Sequence, residues 1–249
     1  MSQLEPEIIT CPACGLTGEH LVFRSLNGER VPVQVEHLLA DTFEQIACEC
    51  GHAYRPEHRM LYTHYALRTW IVMHPPADRA RFAEIEQGVL QVFERDFSAA
   101  PPPVAAGLRG VRPRLVFGQR ALSEAVRLSE AGIDPVVLEC AKLLVFRRNL
   151  AVAVGGAPAE LLYEGSSTTG TGTAGSAATV GTAGGEGSAA PGLQFGVVEL
   201  ASGTRRATIT ASREVLDEVA ATRGEFAARY PALFAQPYLS ATRYLFGAG

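Results

Sequence analysis

Residues 8–75 alternate between apolar and polar side chains and contain several short apolar runs, a pattern typical of β-strands. Residues 20–25 and 31–35 flank the dipeptide Asn27-Gly28. Asn-Gly is the favoured pair of a two-residue hairpin turn. The pattern therefore predicts that these two segments form a β-hairpin.

Two further strands and a helix are predicted before residue 98. Residues 43–47 and 66–73 are apolar enough for strands, and Pro75-Pro76 is suited to open a helix. Apolar residues then recur at helical spacing: Phe82, Ile85, Val89, Val92 and Phe93. We therefore expect a β-rich domain with a flanking helix at residues 1–97.

The segment 98–110 is rich in proline and alanine and predicts a linker to an α+β C-terminal region, residues 111–249. In that region, residues 114–117 predict a short strand. Residues 121–131 predict a helix that Gly132 ends.

A second helix is predicted to begin at Asp134-Pro135 and to end near residue 149. It is apolar nearly all round, which predicts a buried central helix containing Cys140 as an inert thiol. Glu139 and Lys142 lie three residues apart on it and predict an ion pair.

Residues 165–192 consist almost entirely of Gly, Ser, Thr and Ala and predict a flexible loop inside the C-terminal region. The strand-like residues 161–163 and 193–200 flank this loop, and residues 207–210 predict another strand. A helix is expected over residues 212–230. The aromatic residues after it predict a C-terminal segment that docks on the core or on a partner.

Composition limits the class of protein. The chain has 249 residues, of which 47% are hydrophobic and 19% charged, enough for one large domain or two modest ones. The net charge of −4 provides no field that attracts nucleic acid or an anionic membrane. No run of 18 apolar residues and no secretory signal is present. We expect a soluble cytoplasmic protein.

Four of the five cysteines form two close pairs, Cys11-Pro12-Ala13-Cys14 and Cys48-Glu49-Cys50, and glycine follows each pair. Turns of this kind direct two thiolates and several N–H groups at one point. We predict that Cys11, Cys14, Cys48 and Cys50 bind one structural Zn²⁺ per chain, because four thiolates form a closed tetrahedral shell.

Three alternatives remain open for this site. The cysteines could form a redox dithiol, or they could bind iron, which also accepts four thiolates. Because the second pair is unusually tight, His52 or His58 could replace one cysteine as a ligand.

The chain resembles the CpXC family, prokaryotic proteins of unknown function named for Cys-Pro-x-Cys knuckles. Beyond the cysteines, the resemblance includes these segments: Leu61–His64, Trp70–Met73, Phe117-Gly118, Leu122–Val126, Ala131–Pro135, Glu139 with Lys142, and Pro237–Tyr244. The resemblance implies a zinc-ribbon fold, and it does not suggest any catalysed reaction. The chain departs from the family in its short second knuckle, which lacks proline, and in the 165–192 insertion.

No catalytic constellation is readable, and we expect no enzyme activity. His64 and His74 are the remaining acid–base candidates, and a hydrolase or transferase using His64 beside the metal is a minor alternative.

We expect instead a protein-interaction or adaptor module whose partner is another protein. The alternative is a nucleic-acid-binding regulator using the ribbon or the helix pair at residues 121–148, with Arg147 and Arg148 at its end. The acidic balance and the apolar second helix argue against this alternative.

Overall fold

The computed structural model describes five stretches of the chain: residues 2–149, 158–167, 179–181, 192–235 and 237–245. The chain forms two compact units, Met1–Ser129 and Glu130–Gly249. The fold class is α+β, as predicted. Of the helices in the described stretches, none has both the length and the hydropathy that a membrane span requires.

The first unit is built on seven strands: β1 (Gln3–Thr10), β2 (Thr17–Asn27), β3 (Ile46–Ala47), β4 (Ala53–Tyr54), β5 (Met60–His64), β6 (Thr69–His74) and β7 (Arg114–Phe117). Five of them form a mixed sheet in the order β1-β2-β5-β6-β7. β1 pairs with β2 and β5 with β6 antiparallel, whereas β2–β5 and β6–β7 are parallel. β3 and β4 form a separate short antiparallel hairpin.

The helices of this unit are α1 (Pro32–Leu39), a 3₁₀ helix (Pro76–Arg81), α2 (Phe82–Ala99), α3 (Pro102–Leu108) and α4 (Gln119–Ala131), which ends just inside the second unit. α2 buries Val89 and partly buries the rest of its predicted apolar stripe. The segment 98–110, predicted as a linker, contains α3, and the division between the two units falls further along the chain.

A contiguous apolar core lies between the sheet, α1 and α4. Its largest fully buried members are Tyr62, Phe43, Leu26 and Met60. These strands and helices therefore have a hydrophobic core that does not depend on the cysteines.

The predicted hairpin at Asn27-Gly28 is wrong. Residues 17–27 form one long strand, and Pro32 occupies the first turn of α1. The Asn27 side chain accepts a hydrogen bond from the Arg30 N–H at 3.1 Å, which starts a turn into the helix. Proline at a helix N-terminus outweighs the apolar alternation of the next few residues.

Gly28 is required by the close approach of β5. A Cβ atom at this position would lie 2.5 Å from the hydroxyl oxygen of buried Tyr62.

We expect Gly28→Ala to destabilise the protein by about 1–3 kcal/mol, as overpacking does. Gly88→Ala is the matched control: Gly88 lies exposed in α2 with no atom near its Cβ position. The control should gain about 1 kcal/mol. Urea denaturation measures both, and equal stabilities of the two variants would contradict the expectation.

The strands of the second unit are β8 (Ala159–Ser167), β9 (Thr179–Gly181), β10 (Gly192–Glu199) and β11 (Arg205–Ala211). Their sheet order is β8-β10-β11-β9, with β9 parallel to β11 and the other pairs antiparallel. The predicted strands on both sides of the 165–192 loop are therefore present. Most of that loop, whose flexibility was predicted, lies outside the described residues.

In the described residues of this unit the helices are α5 (Pro135–Arg148), α6 (Glu214–Ala221), α7 (Arg223–Arg229), α8 (Ala232–Ala235) and α9 (Thr242–Leu245). The prediction of a single helix over residues 212–230 is wrong, because the helix is interrupted at Thr222, between α6 and α7. The aromatic C-terminal segment is docked as expected. Tyr238 is buried, and the Tyr244 hydroxyl accepts a hydrogen bond from the Ala232 N–H at 3.0 Å.

α5 is the buried central helix that the sequence predicts. The Asp134 side chain caps it by accepting a hydrogen bond from the Val136 N–H at 2.8 Å. Glu139 and Lys142 are both buried and form the predicted ion pair at 2.7 Å. The second carboxylate oxygen of Glu139 accepts the Ala241 N–H, also at 2.7 Å. This contact ties the C-terminal segment to α5.

Candidate metal centre

The turn between β1 and β2 carries the first pair of cysteines. Cys11 directly follows β1, and its N–H donates to the carbonyl oxygen of Leu16 at 2.8 Å. The N–H of Gly15 donates back to the Cys11 carbonyl oxygen at 2.9 Å. Gly15 has a φ of +76°, a conformation that glycine adopts without a Cβ clash. This turn places Cys14 next to Cys11.

The hairpin of β3 and β4 carries the second pair. The Cys48 N–H donates to the His52 carbonyl oxygen, and the Gly51 N–H donates to the Cys48 carbonyl oxygen, both at 2.9 Å. Gly51 has a φ of +85° and completes the same kind of turn although one residue fewer separates the cysteines. The tight spacing that favoured a histidine ligand is thus compatible with both cysteines facing one point.

The two turns bring the four sulfur atoms within 4.8 Å of one another. Across the turns, Cys11 Sγ lies 3.9 Å from Cys50 Sγ, and Cys14 Sγ lies 3.6 Å from Cys48 Sγ. A tetrahedral metal with bonds of about 2.3 Å to thiolates places its sulfurs about 3.8 Å apart. The four cysteines therefore have the chemistry and the spacing to hold one metal ion.

Backbone N–H groups and mutual repulsion act in opposite directions on these thiols. Burial raises the pKa of Cys11, but hydrogen bonds from the Cys14 and Ala13 N–H groups outweigh it and lower that pKa to about 7. At Cys48, the Cys50 N–H lowers the pKa, but burial and the other three sulfurs raise it to about 12. Four thiolates this close need a cation to offset their charge.

Neither histidine considered as a ligand joins the sulfurs: within the described residues, the metal-ligating group around them consists of the four cysteines. The ring of His52 stacks on Tyr54, with 6.1 Å between centroids. His58 is buried, and its Nε2 lies 2.7 Å from a Glu44 carboxylate oxygen.

Glu44 joins the segments on both sides of the second cysteine turn to β2, and nothing in the sequence pattern identified it. One of its carboxylate oxygens faces His58, and the other accepts the N–H of Phe23 in β2 at 2.6 Å. Residues 44 and 58 bracket the β3–β4 hairpin, and β2 leads out of the first turn. Glu44 also has a φ of +50°, which is unusual for a residue other than glycine. The contact ties both ends of the β3–β4 hairpin to β2.

The His58–Glu44 pair predicts a pH-dependent contribution to stability. Burial lowers the pKa of His58, but the hydrogen bond to Glu44 and the charge of Glu44 raise it by more. The net pKa of His58 therefore lies above its ordinary value of 6.5. Because the folded-state pKa exceeds the unfolded one, this stabilisation is complete below pH 6.5 and is lost as the pH rises through the folded-state pKa.

We therefore expect the stability difference between wild type and His58→Gln to be largest below pH 6.5 and to shrink above it. Thermal unfolding of both proteins across this range measures the difference. Comparing the two proteins at each pH removes effects that they share, such as thiol protonation. A difference that grows with pH would contradict the assignment.

The other candidate side chains are occupied elsewhere. His64 Nδ1 lies 3.3 Å from a Glu29 carboxylate oxygen, and His74 Nδ1 lies 3.2 Å from Asp78. Burial lowers the pKa of His74. Neither histidine belongs to the group of side chains around the sulfurs.

In the second unit, the two arginines at the end of α5 make internal contacts. Arg147 donates to the Tyr230 hydroxyl at 2.5 Å, and Arg148 pairs with Glu218 at 2.8 Å.

Cys140 is fully buried, and burial raises its pKa to about 12, as expected of an inert core thiol.

Comparison with known proteins agrees with the resemblance in the sequence. No curated protein and no solved structure matches the chain. The family model described as CpXC protein matches residues 9–142, which include all four clustered cysteines and more than half of the chain. The protein therefore belongs to the CpXC family.

Proposed function

We propose that Cys11, Cys14, Cys48 and Cys50 hold one structural zinc ion per chain, and that the module they stabilise binds another protein. Zinc is supported by the all-thiolate donor set and by sulfur spacings that suit a closed tetrahedral shell. A closed shell leaves no position for water or substrate, so the metal would have a structural role.

The local structure around the cysteines explains why a metal would be needed. β3 and β4 have two residues each, and an isolated hairpin is marginal in water even when it is longer. The metal would fasten this short hairpin to the tip of the longer β1–β2 hairpin. The zinc ion would thereby fix the shape of the β1–β2 hairpin.

The observation that carries the interaction role is an exposed apolar face on this hairpin. The cross-strand pairs Leu4–Phe23, Pro6–Leu21 and Ile8–Glu19 lie on one side of it. Ile8 is 67% and Leu21 66% exposed, and Leu4 and Pro6 are also exposed. We call Leu4, Pro6, Ile8 and Leu21 the hairpin face. Contiguous exposed apolar side chains of this kind typically mark a binding surface.

The charge of the hairpin indicates the partner. Of its three carboxylates, Glu19 lies on the same side as the hairpin face, whereas Glu5 and Glu7 lie on the other side, where both pair with Arg24. A protein with an apolar patch and a lysine or arginine placed to meet Glu19 is complementary to such a surface. Pro6 has no N–H to offer to an added strand, so the partner would bind the face and not the outer edge of β1.

Substitution of the hairpin face tests this role. A photo-crosslinker in place of exposed Thr17, two residues from Glu19 on the same side of β2, should trap a partner protein whose apolar patch is bordered by lysine or arginine. Adding Ile8→Glu or Leu21→Glu should abolish the product without changing metal content. Leu90→Glu is the matched control, because Leu90 is an exposed apolar residue of α2. Crosslinking that survives Ile8→Glu, or a product consisting only of a second copy of this chain, would contradict the proposal.

A further inference from the structure

The two sulfur pairs that connect the cysteine turns differ in their exposure to solvent. Cys14 is exposed and Cys48 is half-buried, and their sulfurs are 3.6 Å apart. In the other pair, exposed Cys50 faces Cys11, which is only 1% exposed, across 3.9 Å. The Cys14–Cys48 pair is therefore the shorter of the two and the pair in which neither cysteine is fully buried.

Hydrogen bonding strengthens this asymmetry. The Cys11 sulfur receives two backbone N–H groups, those of Ala13 and Cys14, whereas the Cys14 sulfur receives that of Leu16. Each N–H bond withdraws electron density from a thiolate and reduces its nucleophilicity. Burial and two donors thus protect Cys11.

We propose that Cys14 is an oxidation site for hydroperoxides and that Cys48 resolves it to a disulfide. The inference rests on the proposed metal centre, in which all four sulfurs are thiolates. Susceptibility to oxidation follows thiolate character and exposure. The metal centre gives all four sulfurs the first property, and Cys14 adds exposure and a partner sulfur at 3.6 Å on a cysteine that is itself only half-buried.

The chemistry balances on the two cysteines and one hydrogen peroxide. The Cys14 thiolate attacks one peroxide oxygen, the O–O bond breaks, and hydroxide leaves a sulfenic acid on Cys14 Sγ. The Cys48 thiolate then attacks Cys14 Sγ, the S–O bond breaks, and a second hydroxide leaves as the S–S bond forms. The two thiolates lose two electrons and the peroxide gains them. The sulfurs need only approach from 3.6 Å to about 2.05 Å.

Disulfide formation removes two of the four metal ligands while it joins the two turns covalently. The metal then leaves Cys11 and Cys50, since two thiolates hold zinc far more weakly than four. A thiol reductant and zinc restore the original state.

The test uses the full-length protein. Its metal content is measured first and decides the proposed metal site on its own. The protein is then treated with less than one equivalent of hydrogen peroxide. Free thiols are blocked with a light alkylating reagent, and oxidised thiols are reduced and labelled with a heavy one. Fragment-ion mass spectrometry locates the heavy label, and a chromogenic chelator measures the released zinc.

We expect heavy label at Cys14 and Cys48 to exceed that at Cys11 and Cys50 by about fivefold or more. One zinc should be released per disulfide, and Cys140→Ala should behave like wild type. Equal labelling of the four cysteines, or disulfides within each turn, would overturn the inference. Because the label is also readable in metal-free protein, failure of metal binding is distinguishable from failure of the oxidation site.

Discussion

Replacing Cys11 by alanine is expected to remove the metal and to unfold the two cysteine turns while the central sheet stays folded. Metal content should fall from one ion per chain to none. Structural zinc contributes about 10–16 kcal/mol of apparent binding free energy in small modules. The loss should remain local, because the core around Phe43 and Tyr62 is built without the cysteines. Hydrogen exchange measured by mass spectrometry should show loss of protection in residues 10–17 and 46–54, which contain the two cysteine turns.

Cys140→Ala is the matched control for this experiment. It removes a buried thiol of the second unit and should keep both the metal and the protection of the two turns. The proposal of a structural metal site would be wrong if Cys11→Ala retained one tightly bound metal ion, or if the two turns stayed protected from hydrogen exchange without the metal.

The second large effect is expected at Lys142. Lys142→Met should destabilise the protein by about 3–5 kcal/mol, because it leaves a buried carboxylate at Glu139 without its cation. The effect should extend to the C-terminal segment, since Glu139 also accepts the Ala241 N–H. Urea denaturation measures the free energy of unfolding.

The double variant Glu139→Gln/Lys142→Met is the control for this substitution. Removing both charges keeps an acceptor for the Ala241 N–H and should recover most of the lost stability, because replacing a whole buried pair is often close to neutral. If the free energy of unfolding of Lys142→Met lay within about 1 kcal/mol of wild type, the assignment of Lys142 as the compensating charge would be contradicted. A loss that small is typical of a solvent-exposed ion pair.

Predictions from the sequence succeed where a few neighbouring residues decide the structure. The cysteine pairs with their following glycines give the cluster, and Asp134-Pro135 gives the start of α5. The apolar stripe of α2 is equally local. In each case the spacing of residue types along the chain determines which side chains face one point or one side.

The failures depend on contacts distant in sequence or on competition between local signals. At Asn27-Gly28, the turn leads into a helix because Pro32 is placed for a helix start and β5 pairs with β2 from outside. The His58–Glu44 contact joins two residues 14 apart in sequence, and no short pattern encodes a pairing across that separation. The order of the sheet follows from such long-range pairings too.

The most direct test of the metal centre is the elemental content of the full-length protein purified without added metal. We predict one zinc per chain. Cys48→Ser, which removes one of the four clustered thiolates, should abolish the zinc, whereas Cys140→Ala should retain it. Iron in place of zinc would contradict the assigned metal, and protein whose two cysteine turns stay ordered without any metal would contradict the structural site itself.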